Sequence, residues 1–187
     1  MKNLFFTVAA LLSFGFVNGQ DTGIKFGVKG GVQFTNFVGD LTYNNKTGFF
    51  IGGLVDLPVS DNFHVQPELM YSMEGSEYDF DFGFGQNESF DYGISYIRIP
   101  VMAKYYVIQG LSLQAGPEIA FKIGAENDIA DDSIKSTDFG IGAGAGYELP
   151  IGLMFDIRYN LGLANISENE DGDVKNVGIQ LGVGYRF

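Results

Sequence analysis

Three features of this 187-residue sequence predict an all-β protein, an eight-stranded antiparallel up-and-down transmembrane β-barrel. Apolar and polar residues alternate with period two in eight separate segments, so each segment is a strand with two unlike faces. The connections after every second segment are short and the others are long, as expected when antiparallel strands turn at opposite ends. The polar faces hold about a dozen glycines, whereas the apolar faces hold over forty residues and no charge across the middle of any strand.

The strands are read in order. The first runs from Ile24 to Val38, with Ile24, Phe26, Val28, Val32 and Phe34 on one face and Lys25, Lys29, Gln33 and Thr35 on the other. The second, Thr47 to Leu57, alternates most weakly, because Phe50 and Leu54 share the face of Asp56. The third, Phe63 to Glu74, sets Val65, Leu69, Tyr71 and Met73 against His64, Gln66, Glu68 and Glu74. An acidic, aromatic loop, Gly75 to Asp91, precedes the fourth strand, Tyr92 to Tyr106, which places Ile97, Ile99 and Val101 opposite Arg98 and Lys104. The fifth, Leu111 to Ile123, separates Leu113, Ile119 and Phe121 from Gln114, Glu118 and Lys122. The sixth, Thr137 to Leu149, has Gly at 140, 142, 144 and 146 on its polar face, read as room for bulky neighbours such as Tyr96, Met102 or Tyr106. The seventh, Leu153 to Ile166, carries Asp156 and Arg158 on its polar face. The eighth, Asn176 to Phe187, alternates to the last residue. Pro67, Pro100 and Pro117 each remove a ladder donor inside a strand, and bulges or strand ends are expected to absorb them.

The apolar faces belong outside. An eight-stranded barrel is only wide enough for ordinary side chains to fill, and the aromatic and branched set would not fit. A charge at the bilayer midplane costs about 2–4 kcal/mol, which accounts for the uncharged outer faces. Tyr71, Tyr105, Tyr147, Tyr159, Tyr185 and Phe187 are expected at aromatic girdles. The inward charges balance, seven acids (Asp56, Glu68, Glu74, Glu118, Asp138, Glu148, Asp156) against seven bases (Lys25, Lys29, Arg98, Lys104, Lys122, Arg158, Arg186). Buried charge is tolerated when paired, so a filled, self-neutralised lumen is expected. The long connections carry fourteen acids against Lys46, Lys135 and Lys175, which accounts for nearly all of the net charge of −12. That charge excludes nucleic acid as a partner.

Residues 1–19 are read as a signal peptide, with Lys2 at the start, an apolar Leu4–Val17 and Val17-Asn18-Gly19 before the cleavage point. The apolar run is short of the roughly 20 residues a membrane-spanning helix needs. Residues 20–187 form the barrel domain. There is no Cys. His64, the sole His, has no nucleophile pattern beside it and is read as lumen filling rather than catalysis. Glu168-Asn169-Glu170-Asp171-Gly172-Asp173 lacks the ligand order of an EF-hand and is read as a solvated loop. No catalytic residue, cofactor or metal is expected.

Four stretches carry a resemblance: Gly27-Val28-Lys29-Gly30-Gly31, the segment Tyr96 to Tyr106, Asp156 to Leu163, and the closing Gly182-Val183-Gly184-Tyr185-Arg186-Phe187. In them the chain resembles the PorT-like ("porin family") outer-membrane β-barrel proteins, over its whole mature length. The resemblance implies a bacterial outer-membrane location, lipid around the barrel, and assembly by the barrel-assembly machinery, with Phe187 as the signal it reads. The expected role is non-enzymatic, structural or loop-mediated, with an extracellular protein or surface component as partner. Contact candidates are Tyr78, Phe80, Phe82, Phe84 and Phe90; the other reading of that stretch is a β-hairpin extension packing on itself. The alternative is a narrow channel for small solutes or ions through the lumen of Lys25, Lys29, Asp56, Glu68, Arg98, Lys104, Glu118, Lys122, Asp156, Arg158 and Arg186.

Overall fold

The computed structural model describes residues 23–39, 44–81, 87–125, 134–166 and 174–187. The signal-peptide reading of residues 1–19 lies outside them. Eight strands follow one another: β1 (Lys25–Gly39), β2 (Asn44–Pro58), β3 (Phe63–Asp81), β4 (Asn87–Ile108), β5 (Leu111–Ala125), β6 (Thr137–Glu148), β7 (Leu153–Gly162) and β8 (Val174–Arg186). Each pairs antiparallel with the next, and β8 returns to β1 with Gly27 opposite Arg186 and Gly39 opposite Val174. The sheet is a closed barrel, which leaves no edge with unpaired amides.

Side chains divide as the period-two pattern requires. Phe26, Val28, Ile51, Leu69, Leu113, Ile141, Ile157 and Leu181 are exposed on the outside, while Lys29, Gln33, Glu68, Arg98, Gln114, Glu118 and Arg158 are buried within. Tyr105, Tyr147, Tyr185 and Phe187 stand exposed near the end of the barrel where the tight turns lie, and the Tyr185 and Phe187 rings meet edge to face at 5.4 Å. Tyr71 is half-buried and its hydroxyl is 2.9 Å from Ser95 Oγ.

The turns have local causes. Gly110 and Gly152 have φ of 83° and 87°. A Cβ there would stand 2.5 Å from the Glu148 carbonyl oxygen and 2.4 Å from that of Arg186. Only glycine fits both the conformation and the approach. The two carbonyls pack against these turns because Glu148 N donates to Gly110 O and Arg186 N to Gly152 O, both at 2.8 Å.

Three sequence expectations are corrected. The segment read as the loop Gly75 to Asp91 is largely strand, because β3 and β4 stay in register up to Asp81 opposite Asn87. The seventh strand stops at Gly162 rather than Ile166; Leu163 is still exposed, and Ile166 is buried inside. The prolines create neither bulges nor strand ends. The β2–β3 ladder passes from Leu54–Glu68 to Leu57–Val65 around Pro67, β3–β4 from Pro67–Val101 to Met70–Arg98 around Pro100, and β4–β5 from Pro100–Glu118 to Ala103–Ala115 around Pro117. In each case the register is unchanged. A proline lacks its N–H, and here the ladder omits the pairs beside it, with closure on both sides holding the strand in place.

Candidate functional site

The lumen is filled by three layers of ion pairs. At the tight-turn end, Arg186 of β8 bridges Asp56 of β2 and Glu148 of β6. His64 Nδ1 lies 2.9 Å from Asp56 Oδ1, and Tyr106 Oη–H donates to Glu148 at 3.2 Å. The His64 and Tyr106 rings meet at 4.9 Å. His64 therefore has a carboxylate and an aromatic partner, as a filler should.

The middle layer centres on Arg158 of β7 and Glu68 of β3. Arg158 donates to both oxygens of Glu68, at 3.0 and 2.8 Å, and to Gln114 at 3.2 Å. Such bidentate pairing fixes geometry as well as charge. Lys29 reaches Glu68 at 3.3 Å and Asp156 at 3.3 Å. Gln66 donates to Glu68 at 2.7 Å, and Lys104 donates to Gln66 at 2.9 Å.

The third layer, toward the long connections, is built around Arg98 of β4. Arg98 donates through two nitrogens to Glu74 and through a third to Glu118 at 2.8 Å, and Asp138 lies 3.6 Å away. Ser72 and Asn176 also donate to Glu74.

Nine of the eleven lumen candidates thus fall in these layers. Lys25 does not: it is exposed at the tight-turn mouth, because it occupies the first position of β1, beyond the lumen. Lys122 is half-buried and donates to the Ile134 carbonyl at 2.6 Å, so it supports a connection rather than a central layer. The alternating glycines of β6 make room for different neighbours than expected. A Cβ at Gly142 would meet Asn160 Oδ1 at 2.9 Å and Arg158 Cδ at 3.1 Å; at Gly140 it would meet Glu118 Oε1 at 3.1 Å. The space serves the ion-pair side chains of adjoining strands, not Tyr96, Met102 or Tyr106.

One feature escaped the sequence reading. Ile134 and Ile166, on the connections before β6 and after β7, are buried with Phe37, Ile94, Tyr96 and Ala120, and Val174 packs against the group. Lys135 N donates to Ile166 O and Ile166 N to Val174 O, both at 2.8 Å, which ties the two connections together. The result is an apolar cap over the third layer. The available signal was Ile134 near the end of one acidic segment and Ile166 just before another. Ile166→Ala is expected to cost about 2–5 kcal/mol in urea unfolding of the refolded barrel; a loss below about 0.5 kcal/mol would mean the cap does not bear on stability.

Three of the five loop candidates, Tyr78, Phe80 and Phe90, fall on the β3–β4 hairpin. Tyr78 is opposite Phe90 and Phe80 opposite Glu88. Among the described residues the partners on β2 and β5 run out at Glu77 and Ile94, and the β3–β4 pairing continues to Asp81 and Asn87. Phe82 and Phe84 lie outside the described residues. Phe187 completes the closing seam, its N–H donating to Phe26 O at 2.8 Å.

A family model described as "Outer membrane protein beta-barrel domain" matches residues 18–168. The chain belongs to that family. It is an outer-membrane β-barrel protein, and its apolar exterior faces lipid. Among solved structures, this barrel resembles Neisserial surface protein A at 13% identity and TM-score 0.60, covering 87% of this chain and 97% of that one. OprG of Pseudomonas aeruginosa is 12% identical at TM-score 0.54, with 87% and 95% covered. Ail of Yersinia pestis, solved in complex with the heparin analogue sucrose octasulfate, is 18% identical at TM-score 0.51, with 88% and 99% covered. At these identities the likeness is one of fold. No curated protein matches the sequence.

Proposed function

We propose that this protein is a non-enzymatic, non-conducting outer-membrane barrel that binds a partner at its outer rim through the β3–β4 hairpin and the acidic connections. The observation that carries the reading is the obstruction of the lumen. Arg98 and Arg158 cross it fully buried, and the spaces between the layers are about 20 Å³ and about 10 Å³. A cavity of that size holds about one water, far from a continuous path for solute. The hairpin carries Tyr78, Phe80 and Phe90 past the described ends of the neighbouring strands, and aromatic residues beyond the membrane suit contact with a partner.

Ail was solved with a sulfated sugar analogue, but the segments at the long-connection end here, the outer part of the β3–β4 hairpin included, carry fourteen acids against three bases. The partner is therefore a cationic or aromatic-binding surface, not a polyanion. Within the family we place the chain beside PorT-like barrels on the four stretches named above, with residues 1–19 as its export signal and Phe187 as its assembly signal.

The test is conductance of the refolded mature protein in a planar bilayer, followed by cross-linking from the hairpin on whole cells. Silence in the bilayer is expected, as is a cross-linked surface partner that is lost when Tyr78, Phe80, Phe82, Phe84 and Phe90 are replaced by Ser. Steady single-channel steps altered by Arg98→Gln would overturn this reading in favour of a narrow channel.

A further inference from the structure

At the tight-turn end, periplasmic in barrels of this kind, an open cavity of about 600 Å³ lies between the β4–β5 turn, the β6–β7 turn and the start of β1. Sites that take small ligands run to roughly 300–1,000 Å³. The lining comes from both sides of the sheet. Tyr106, Glu148 and Arg186 belong to the lumen, where they form part of the first ion-pair layer. Tyr147 and Phe187 belong to the lipid-facing side and stand 47% and 58% exposed. Ile151, in the β6–β7 turn, is 68% exposed. The cavity is therefore a notch in the rim, polar toward the barrel axis and apolar toward the bilayer.

Lys25 supplies its available charge. It lines the same notch and is exposed at the first position of β1. Asp56 stands opposite it on β2, but one Asp56 oxygen meets His64 and the other Arg186. Glu148 is engaged by Arg186 and Tyr106. Among the described residues no carboxylate pairs with Lys25, so it is the lining cation open to an anionic group. A soluble anion would meet Lys25 and leave Ile151 and Phe187 in water, although turn positions are usually polar. An amphipathic anion meets both halves.

We propose that this notch seats one phospholipid of the periplasmic leaflet, with its phosphate on Lys25 and its chains against Tyr147, Ile151 and Phe187. The apolar half runs on into the lipid-facing wall, since the Phe187 ring packs against Tyr185. Aromatic rings at this height are the usual neighbours of headgroups. The seat is thus continuous with the surface that lipid already covers, and Lys25 adds a fixed charge at its edge. This inference concerns the end opposite the outer rim and does not depend on a partner there.

The experiment uses the mature protein refolded in nonionic detergent. Native mass spectrometry counts phosphatidylglycerol bound per chain as detergent strips the lipid on the wall. One retained phosphatidylglycerol is expected, with no retention of diacylglycerol and no binding of glycerol 3-phosphate. Lys25→Ser is expected to weaken retention about fivefold, the contribution of one surface cation. Ile151→Ser is expected to weaken it on the order of tenfold through lost apolar contact. Both positions are exposed, so the urea midpoint should not move. Where a variant does not refold, the unaltered protein with photoactivatable phosphatidylglycerol decides: cross-links concentrated at residues 147–152 support the notch, and labelling spread evenly around the wall overturns it. Equal retention by the parent and Lys25→Ser also overturns the proposal. So does diacylglycerol held as well as phosphatidylglycerol, which would need no phosphate seat, or glycerol 3-phosphate bound as tightly, which would need no chains. A parent that retains no phospholipid overturns it outright.

Discussion

Glu68→Ala is expected to destabilise the barrel by about 3–5 kcal/mol, the usual cost of removing one partner of a buried ion pair. Glu68 accepts both nitrogens of the Arg158 fork and also meets Lys29 and Gln66. Without it, Arg158 and Lys29 remain buried with Asp156 as the nearby carboxylate. The free energy lost is chiefly the cost of leaving charge uncompensated away from water, not the strength of the bond removed. That distinction gives a second arm. The double variant Glu68→Gln, Arg158→Met removes both charges and keeps similar volume, so it is expected to regain much of the loss. Urea unfolding of the refolded protein in detergent, followed by circular dichroism, measures both. A single variant within about 1 kcal/mol of the parent would mean that water enters the lumen and screens the pair.

The second large effect is expected on the outside. Ile157, mid-way along β7, is 51% exposed between Ala145 of β6 and Leu181 of β8. Ile157→Arg places a charge well inside the hydrocarbon and should cost about 2–4 kcal/mol, whereas the same change at Ile151, in the tight turn before β7, should cost about 0–1 kcal/mol. In water the order would not follow depth, since Ile151 is exposed at 68% and both sites would accept an arginine at the surface. The comparison is made by folding and unfolding in lipid vesicles. Equal costs at the two positions would remove the placement of this face in the membrane.

The barrel was legible because its signals are local. Alternation at Leu153 to Leu161 or Phe63 to Met73 depends only on the two-residue period of an extended chain. The tight turns at Gly110 and Gly152 depend on one residue's φ. The composition of the lumen was legible for the same reason, since the side of the strand that bears Glu68, Arg98 or Arg158 follows from parity. The length of the β3–β4 hairpin was less so. Asp79 and Asp81 read as a loop, and cross-strand pairing with Ser89 and Asn87 overrode their weak strand preference.

By itself, then, the sequence determined the number of strands, their inner and outer faces, and the near-neutral balance of charge within. Only the tertiary structure decided which charges meet. Glu68 finds Arg158 across 90 residues of chain, and Arg98 rather than Lys122 joins the central layers, because strand stagger and closure set the height of each side chain. The cap of Ile134 and Ile166 was likewise decided there. An apolar residue beside a run of acids has no period to betray it, and these two are buried only once eight strands have closed around the space they fill.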